Sequence, residues 1–230
     1  KAGKAMNFGV FLVGGFIRDF FLGSESADLD FIIQGNSKAL AEKVSRRLGM
    51  KPIIMEKGPV TNVRLVKRGL SIDLTNLVGN SINEDLARRD FTINSLAYSI
   101  QSGELIDLHN GLEDLRFKII RSVSDRAFRE DPLRTLRAFR FVCTLDNFSI
   151  TGSTWNQVKQ YASLISTVSV ERIKDELDLI LLSPKAPSVY KAMAEAGLLQ
   201  PVFKEFFPIP GSDQGTPDLA VLRQVKNYLF

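Results

Sequence analysis

The stretch from residue 11 to residue 33 restricts the possible folds of this chain more than any other. An apolar run meets Gly14 and Gly15, an amphipathic segment follows, and a second apolar run opens with Asp28 and Asp30. This order predicts a strand, a glycine turn, a helix and a second strand. Alternate side chains of a strand share one face, so both carboxylates are expected to point the same way. Two like charges held so close are costly without a cation between them, which makes this a predicted metal site.

A third carboxylate, Asp73, interrupts the apolar segment at residues 70–74. A lone carboxylate inside a buried strand is expensive, so Asp73 is predicted to join Asp28 and Asp30 as a metal ligand and catalytic residue. The alternative is an edge strand on which Asp73 faces water. Ligands that are all oxygen favour Mg²⁺ over zinc, and three acids around two such ions suit two-metal catalysis.

The glycine turn is a candidate phosphate site. Gly14 and Gly15 follow a predicted strand, where small residues let backbone amides approach a ligand closely. The N-terminus of the next helix favours phosphate, and Arg18, one turn further on, adds positive charge. All three are therefore predicted nucleotide-binding residues. A tight turn without a ligand is the simpler interpretation of the two glycines alone.

The character of the chain changes near residue 125. Before it, short apolar segments between turn signals, among them a turn at Gly58-Pro59, predict a mixed α/β part. Residues 84–96 are expected there to form a helix broken near Asp90. After the change, helices are predicted near residues 125–129, 131–145, 153–165, 169–182 and 186–197.

The composition is ordinary for a globular protein, with a formal net charge of +4. A mildly basic chain permits a polyanionic partner without requiring one. The single cysteine, Cys143, excludes an internal disulfide and favours a reducing compartment, so a cytoplasmic protein is expected. No apolar run approaches the length of a membrane span, so no membrane partner is expected.

Several ordered motifs carry a resemblance to a known family. The main ones are Gly-Gly-x-x-Arg-Asp at residues 14–19, Asp-Leu-Asp at 28–30 and Arg-Arg-Asp-Phe-Thr-Ile-Asn at 88–94. Together with segments 107–114, 130–134 and 169–177, they resemble the class II tRNA nucleotidyltransferases. This superfamily of template-independent polymerases includes CCA-adding enzymes and bacterial poly(A) polymerases.

The resemblance implies an α+β fold, in which a nucleotidyltransferase head with a small mixed β-sheet flanked by helices precedes an all-helical neck and the start of a helical body. The implied domains are residues 1–118, 119–185 and 186–230. The implied activity is the addition of C and A to the tRNA 3′ end from CTP and ATP with Mg²⁺. The partners are then a tRNA 3′ end and the two nucleotides, while the oligomeric state stays open.

The resemblance also assigns roles to individual residues. Asp28 and Asp30 carry over as metal ligands and catalytic residues. Arg89, Asp90 and Asn94 match the block that contacts the sugar and phosphates of the incoming nucleotide. Without the motif, these charges on a helix would indicate a solvated face with local ion pairs.

Asp131 and Arg134 match the pair that replaces a template strand by hydrogen-bonding the base edge of C or A. Their spacing puts both on one helical face, and the two groups suit an exocyclic amine and a ring nitrogen or carbonyl. Asp131 before Pro132 is also a signal for a helix N-cap. Arg137 and Arg140 belong to a set of six arginines within twenty residues, which suits a triphosphate or an RNA backbone. The alternative for each is a solvated helix face.

Departures from the family pattern bear on the subtype. Only ten residues, 74–83, separate Asp73 from the next motif, whereas members that add the terminal A usually carry a longer flexible loop. This favours a CC-adding subtype over an A-adding one, and the absence of an Arg-Arg-Phe stretch ranks poly(A) polymerases lower. A non-catalytic RNA-binding module with the same fold is opposed by the costly acidic cluster. A small-molecule nucleotidyltransferase is opposed by the arginine-rich neck.

Overall fold

The computed structural model describes residues 9–57 and 60–203, which fall into two compact units. The first unit ends at Ala127 and the second begins at Phe128. The predicted turn at Gly58-Pro59 and the part of the predicted helical body after residue 203 lie outside the described residues. The three domain boundaries inferred from the family resemblance stay predictions.

The first unit is built on a mixed sheet that has seven strands within the described residues. In chain order these are β1 (Gly9–Val13), β2 (Asp28–Gln34), β3 (Lys51–Lys57), β4 (Val60–Lys67), β5 (Leu70–Asn76), β6 (Leu96–Ser99) and β7 (Leu105–Asp107). Their spatial order is β3-β4-β5-β2-β1-β6-β7. β2 and β5 are parallel, and the other neighbouring pairs are antiparallel. The predicted mixed sheet is confirmed.

Helices flank this sheet, as predicted. They are α1 (Gly15–Phe21), α2 (Ser37–Leu48), α3 (Ile82–Ala87) and α4 (Gly111–Arg116), and the two-residue strand β8 (Ile119–Ile120) follows α4. α2 begins where Asn36 Oδ1 accepts the N–H of Ala39 at 3.1 Å. It ends at Gly49, whose φ of 60° is the left-handed conformation that glycine favours. Asparagine and glycine are residue types that ordinarily occupy these two positions.

Alternation of side chains gives the sheet two apolar faces. On one face Ile33 belongs to the same buried cluster as Leu40 of α2, and on the other Ile32 belongs to the same cluster as Leu86 of α3. Asp30 precedes Ile32 by two residues and therefore shares the α3 face. The candidate acids thus lie on the opposite face of the sheet from α2.

The helix predicted over residues 84–96 is wrong beyond its first turn. α3 ends at Ala87, a 3₁₀ turn follows, and β6 begins at Leu96. The break near Asp90 agrees with the prediction, and its cause is local. The Asp90 carboxylate accepts the N–H of Phe91 at 2.8 Å, and such side-chain acceptors compete with the helical backbone.

The rest of the described chain is largely helical, as predicted. After α5 (Ala127–Glu130) come α6 (Arg134–Thr144), strand β9 (Ser149–Ile150), α7 (Gly152–Tyr161), a 3₁₀ helix (Ala162–Thr167), α8 (Val170–Leu181), α9 (Ala186–Glu195) and α10 (Leu199–Phe203). The rings of Phe139 and Trp155 meet edge to face with centroids 5.9 Å apart, so they join α6 to α7. Within the ranges described, no helix combines the length and apolar composition needed to span a membrane.

Candidate active site

Strand pairing brings the three predicted acids together. Asp30 of β2 lies directly beside Asp73 of β5, and Asp28 lies two residues earlier on the same face of β2. Asp28 is exposed, whereas Asp30 and Asp73 are half-buried. Because β5 lies between β4 and β2, the alternative in which Asp73 faces water from an edge strand is excluded. The roles of the three as ligands and catalytic residues stay predictions.

Burial and neighbouring acids raise the cost of ionising Asp30. Burial, and then the charge of Asp73, raise the pKa of Asp30 above its ordinary value, and Asp28 adds to the effect. Arg89 and Arg64 lower the same pKa without cancelling the rise. A divalent cation between Asp28 and Asp30 would relieve this repulsion, and carboxylate oxygens are the donors that such hard cations prefer. The residues present therefore fit the cation that the family resemblance implies.

Arg64 is a member of this site that the sequence pattern did not reveal. It lies directly opposite Asp73 in the antiparallel pair β4–β5. Its Nε donates to Oδ1 of Asp73 at 2.9 Å and its Nη2 donates to Oδ2 at 2.6 Å. Across the described ranges, no three or more His, Cys, Asp or Glu side chains form a group arranged to hold a metal ion. Metal binding by Asp28, Asp30 and Asp73 therefore stays a prediction.

Gly14 joins β1 to α1 in a conformation that side chains disfavour, with φ 73° and ψ −134°. Its N–H donates to the carbonyl of Leu96 at 3.3 Å. A Cβ placed on Gly14 would lie 3.0 Å from Nη1 of Arg89 and 3.9 Å from Oδ2 of Asp30. The glycine turn, one candidate ligand and one predicted nucleotide-binding arginine therefore meet in one small region.

The substitution Gly14→Ala should weaken nucleotide binding and lower stability together. The strained backbone costs about 1–3 kcal/mol, and the new methyl group pushes against Arg89. Thermal unfolding and calorimetric binding of CTP measure the two effects. Gly23→Ala is the matched control, because Gly23 has a similar φ of 71° and no atom within 4 Å of an added Cβ. Equal loss of CTP binding in both variants would contradict a role for the space around Gly14.

A chain of hydrogen bonds connects several predicted nucleotide-binding residues. Gly15 opens α1, and Arg18 of that helix donates from Nη1 to Oδ1 of Asn94 at 2.8 Å. Asn94 in turn donates from Nδ2 to Oδ1 of Asp90 at 3.0 Å. Asp90 and Asn94 are 7% and 6% exposed, so this block is not the solvated face that its charges alone would indicate. Contacts of these residues with a nucleotide stay predictions.

Two acids hold this block in place. Arg89 is half-buried and donates from Nη2 to Oδ2 of Asp85 at 3.1 Å. Thr92 donates from Oγ1 to Oδ2 of the buried Asp114 at 2.6 Å, and Arg121 donates from Nε to the same oxygen at 3.0 Å. Asp114 and Thr92 were not recognisable as a pair because they are far apart in the sequence. Arg121, one of the six clustered arginines, is thus an ion-pair partner within the first unit.

Asp131 lies in the second unit, immediately before α6. Its Oδ1 accepts the N–H of Leu133 at 3.3 Å, and its Oδ2 accepts from Nη2 of Arg172 at 2.8 Å. α6 itself begins at Arg134. The N-cap of α6 is Leu133, so the alternative in which Asp131 caps this helix is not confirmed. Base recognition by Asp131 and Arg134 stays a prediction.

Arg137 and Arg140 share one carboxylate of α8. Arg137 Nη1 donates to Oε1 of Glu176 at 3.1 Å, and Arg140 Nε lies 2.6 Å from Oε2. The guanidinium carbon of Arg140 also lies 4.1 Å from the ring centroid of Phe141. These contacts join α6 to α8, which the solvated-face alternative does not require. Nucleotide binding by the two arginines stays a prediction.

The raised pKa of Asp30 should make stability depend on pH with a definite sign. The folded chain holds this proton to higher pH than the unfolded chain does. The stabilisation that protonated Asp30 gives to the folded chain is therefore fully present below its ordinary pKa of 3.8. It is lost as the pH rises through the raised pKa of the folded state. The difference in melting temperature between wild type and Asp30→Asn, followed from acid to neutral pH, measures it. A difference that moves in favour of the wild type as pH rises would contradict the raised pKa.

Comparison with known proteins gives the family. Residues 10–121 match the family described as the poly A polymerase head domain, and residues 147–209 match the probable RNA and SrmB-binding site of polymerase A. The CC-adding tRNA nucleotidyltransferase of Geobacter sulfurreducens is 40% identical over 198 residues, 85% of this chain and 46% of that protein. The A-adding tRNA nucleotidyltransferase of the same bacterium is 32% identical over 248 residues, 100% of this chain and 27% of that protein.

Similarity to solved structures indicates the same family as the sequence comparisons. The Thermotoga maritima CCA-adding enzyme complexed with tRNA has a TM-score of 0.81 and 33% identity, over 91% of this chain and 52% of that chain. Fold and sequence together define a nucleotidyltransferase head. The chain belongs to the family of tRNA nucleotidyltransferases and poly(A) polymerases. It spans about half the length of the curated relatives that it matches first.

Proposed function

We propose that the protein transfers nucleotides from CTP, from ATP or from both to the 3′ end of tRNA without a template strand. The observation that carries the proposal is the pair Asp28 and Asp30 on one face of β2, beside the Gly14 turn and Arg89. Acids for a cation next to a glycine turn and an arginine suit a triphosphate with its metal ion. The names of the CC-adding and A-adding relatives support tRNA as the acceptor. The single cysteine supports a cytoplasmic location.

In the proposed reaction the 3′ oxygen of the tRNA bonds to the α-phosphorus of the nucleotide while the bond to pyrophosphate breaks. Asp28 and Asp30 would hold Mg²⁺, which when bound would supply positive charge that helps the attacking hydroxyl release its proton to water and that neutralises the triphosphate. The Gly14 turn lets phosphate oxygens approach the backbone, and Arg89 offers its guanidinium to them.

The remaining predicted residues of the first unit orient the sugar. Asp90 and Asn94 offer an acceptor and an amide to the ribose hydroxyl. The bond from Arg18 to Asn94 fixes the amide before a nucleotide arrives, which lowers the entropy lost on binding. Arg18 therefore supports nucleotide binding in two ways, by holding the Asn94 amide in place and by its positive charge.

We further infer the CC-adding subtype. Only residues 77–81 separate β5 from α3, which leaves little chain for the longer flexible loop typical of A-adding members. The 40% identity to the CC-adding relative, against 32% to the A-adding relative from the same bacterium, supports the same choice. Addition of A and addition of poly(A) are the competing outcomes.

Primer extension tests both parts of the proposal. The protein is incubated with Mg²⁺ and an excess of tRNA that lacks its 3′ CCA, with CTP alone, ATP alone, or both. The proposal predicts two added C residues from CTP and no product from ATP alone. Addition of A to the CC end would contradict the CC-adding subtype but would still support nucleotide transfer to tRNA. A folded protein that extends no tRNA with any nucleotide contradicts the proposed function.

A further inference from the structure

The ion pair between Arg64 and Asp73 is more specific than an ordinary surface contact. Two parallel hydrogen bonds, 2.9 and 2.6 Å long, engage both oxygens of the carboxylate. The side chain of Asp73 is 12% exposed, whereas that of Arg64 is 47% exposed. The carboxylate is therefore held in the sheet, while the guanidinium reaches it from solvent and has room to leave.

The pair stands in line with the candidate metal ligands. Arg64, Asp73 and Asp30 are cross-strand neighbours on β4, β5 and β2, so they point to one face in a row. Neighbouring strands lie about 4.8 Å apart, so Asp73 has the guanidinium on one side and the acid Asp30 on the other. A bidentate guanidinium satisfies a carboxylate with the same sign of charge that a metal ion supplies.

We propose that Arg64 fills the cation position at Asp73, so that without nucleotide the protein binds one divalent ion, at Asp28 and Asp30. A second ion binds at Asp73 only when Arg64 leaves. This inference rests on the proposed metal-dependent function. Arg64 is then a positioning residue that acts through Asp73 and controls how many ions the site holds.

Counting bound ions tests the proposal without any measurement of activity. Mn²⁺ serves as the probe, and electron paramagnetic resonance reports the number of ions bound to the full 230-residue chain. We expect one ion for the wild type and two for Arg64→Gln. Arg64→Met, which cannot hydrogen-bond to Asp73, should give two as well. The double variant Arg64→Gln/Asp73→Asn should return to one.

Controls separate this inference from the function on which it rests. Arg47→Gln removes an exposed positive charge from α2, on the opposite face of the sheet, and should leave one ion bound. Two ions on the wild type, or one ion on both Arg64 variants, would overturn the role of Arg64. Asp28→Asn should lose the wild-type ion, and retention of that ion would instead contradict the metal site of the proposed function.

Discussion

Asp30→Asn should abolish nucleotide addition and at the same time make the protein more stable at neutral pH. The amide has nearly the same volume but carries no charge for a metal ion, so a loss of rate on the order of a thousandfold is expected, comparable to removal of one group that stabilises the transition state. Stability should change in the opposite direction, because burial, and then the charges of Asp73 and Asp28, raise the pKa of Asp30 and make its ionised form unfavourable in the folded chain. Extension kinetics and thermal unfolding measure the two quantities.

Opposite signs distinguish a catalytic acid from a structural one. An acid that only supports the fold lowers activity by lowering stability, so both quantities would fall together. Asp146→Asn is the control, since Asp146 is an exposed acid of the second unit and its loss should change neither. Wild-type extension rates for Asp30→Asn would remove this carboxylate from the mechanism.

Glu176→Ala should be among the most destabilising single changes in the second unit. Glu176 is 8% exposed and its two oxygens face the guanidinium groups of Arg137 and Arg140. Removal of one partner from a largely buried ion pair costs about 3–5 kcal/mol. Trp155, the single tryptophan, lies in α7 of this unit, so its fluorescence during chemical denaturation reports the loss.

The neighbouring Asp175→Ala provides the matched control. Asp175 is exposed on the same helix, and its substitution should change the free energy of unfolding by less than about 0.5 kcal/mol. A cost for Glu176→Ala as small as that of the control would show that the two arginines do not depend on Glu176. The prediction that they serve a triphosphate would then gain support over a role in joining α6 to α8.

The sequence predicts best those turns and helix ends that depend on the conformation of neighbouring residues. The glycine turn at Gly14 lies where the sequence predicts it, and Asn36 and Gly49 are residue types that ordinarily begin and end a helix, because each acts on adjacent backbone. The proximity of Asp30 and Asp73 was also predictable, because a lone carboxylate is costly inside a buried strand and is expected there only with a partner.

Contacts that depend on strand register or on distant packing were not predictable in this way. Arg64 meets Asp73 because β4 and β5 pair around the turn at Arg68-Gly69, and a count outward from that turn would have found the pair. The helix expected to reach Leu96 fails because Asp90 takes up backbone and side-chain donors. Helix propensity summed over neighbouring residues does not account for such competition between a side chain and the helical backbone.

Labelled CTP tests whether the Asp28 and Asp30 face of β2 is a metal-dependent centre for nucleotide transfer. Wild type and Asp28→Asn are each incubated with tRNA that lacks its 3′ end, in Mg²⁺ and again after removal of the metal with EDTA. We expect label on the tRNA only for the wild type with Mg²⁺. Label transferred by Asp28→Asn at the wild-type rate, or by the wild type in EDTA, would contradict this expectation.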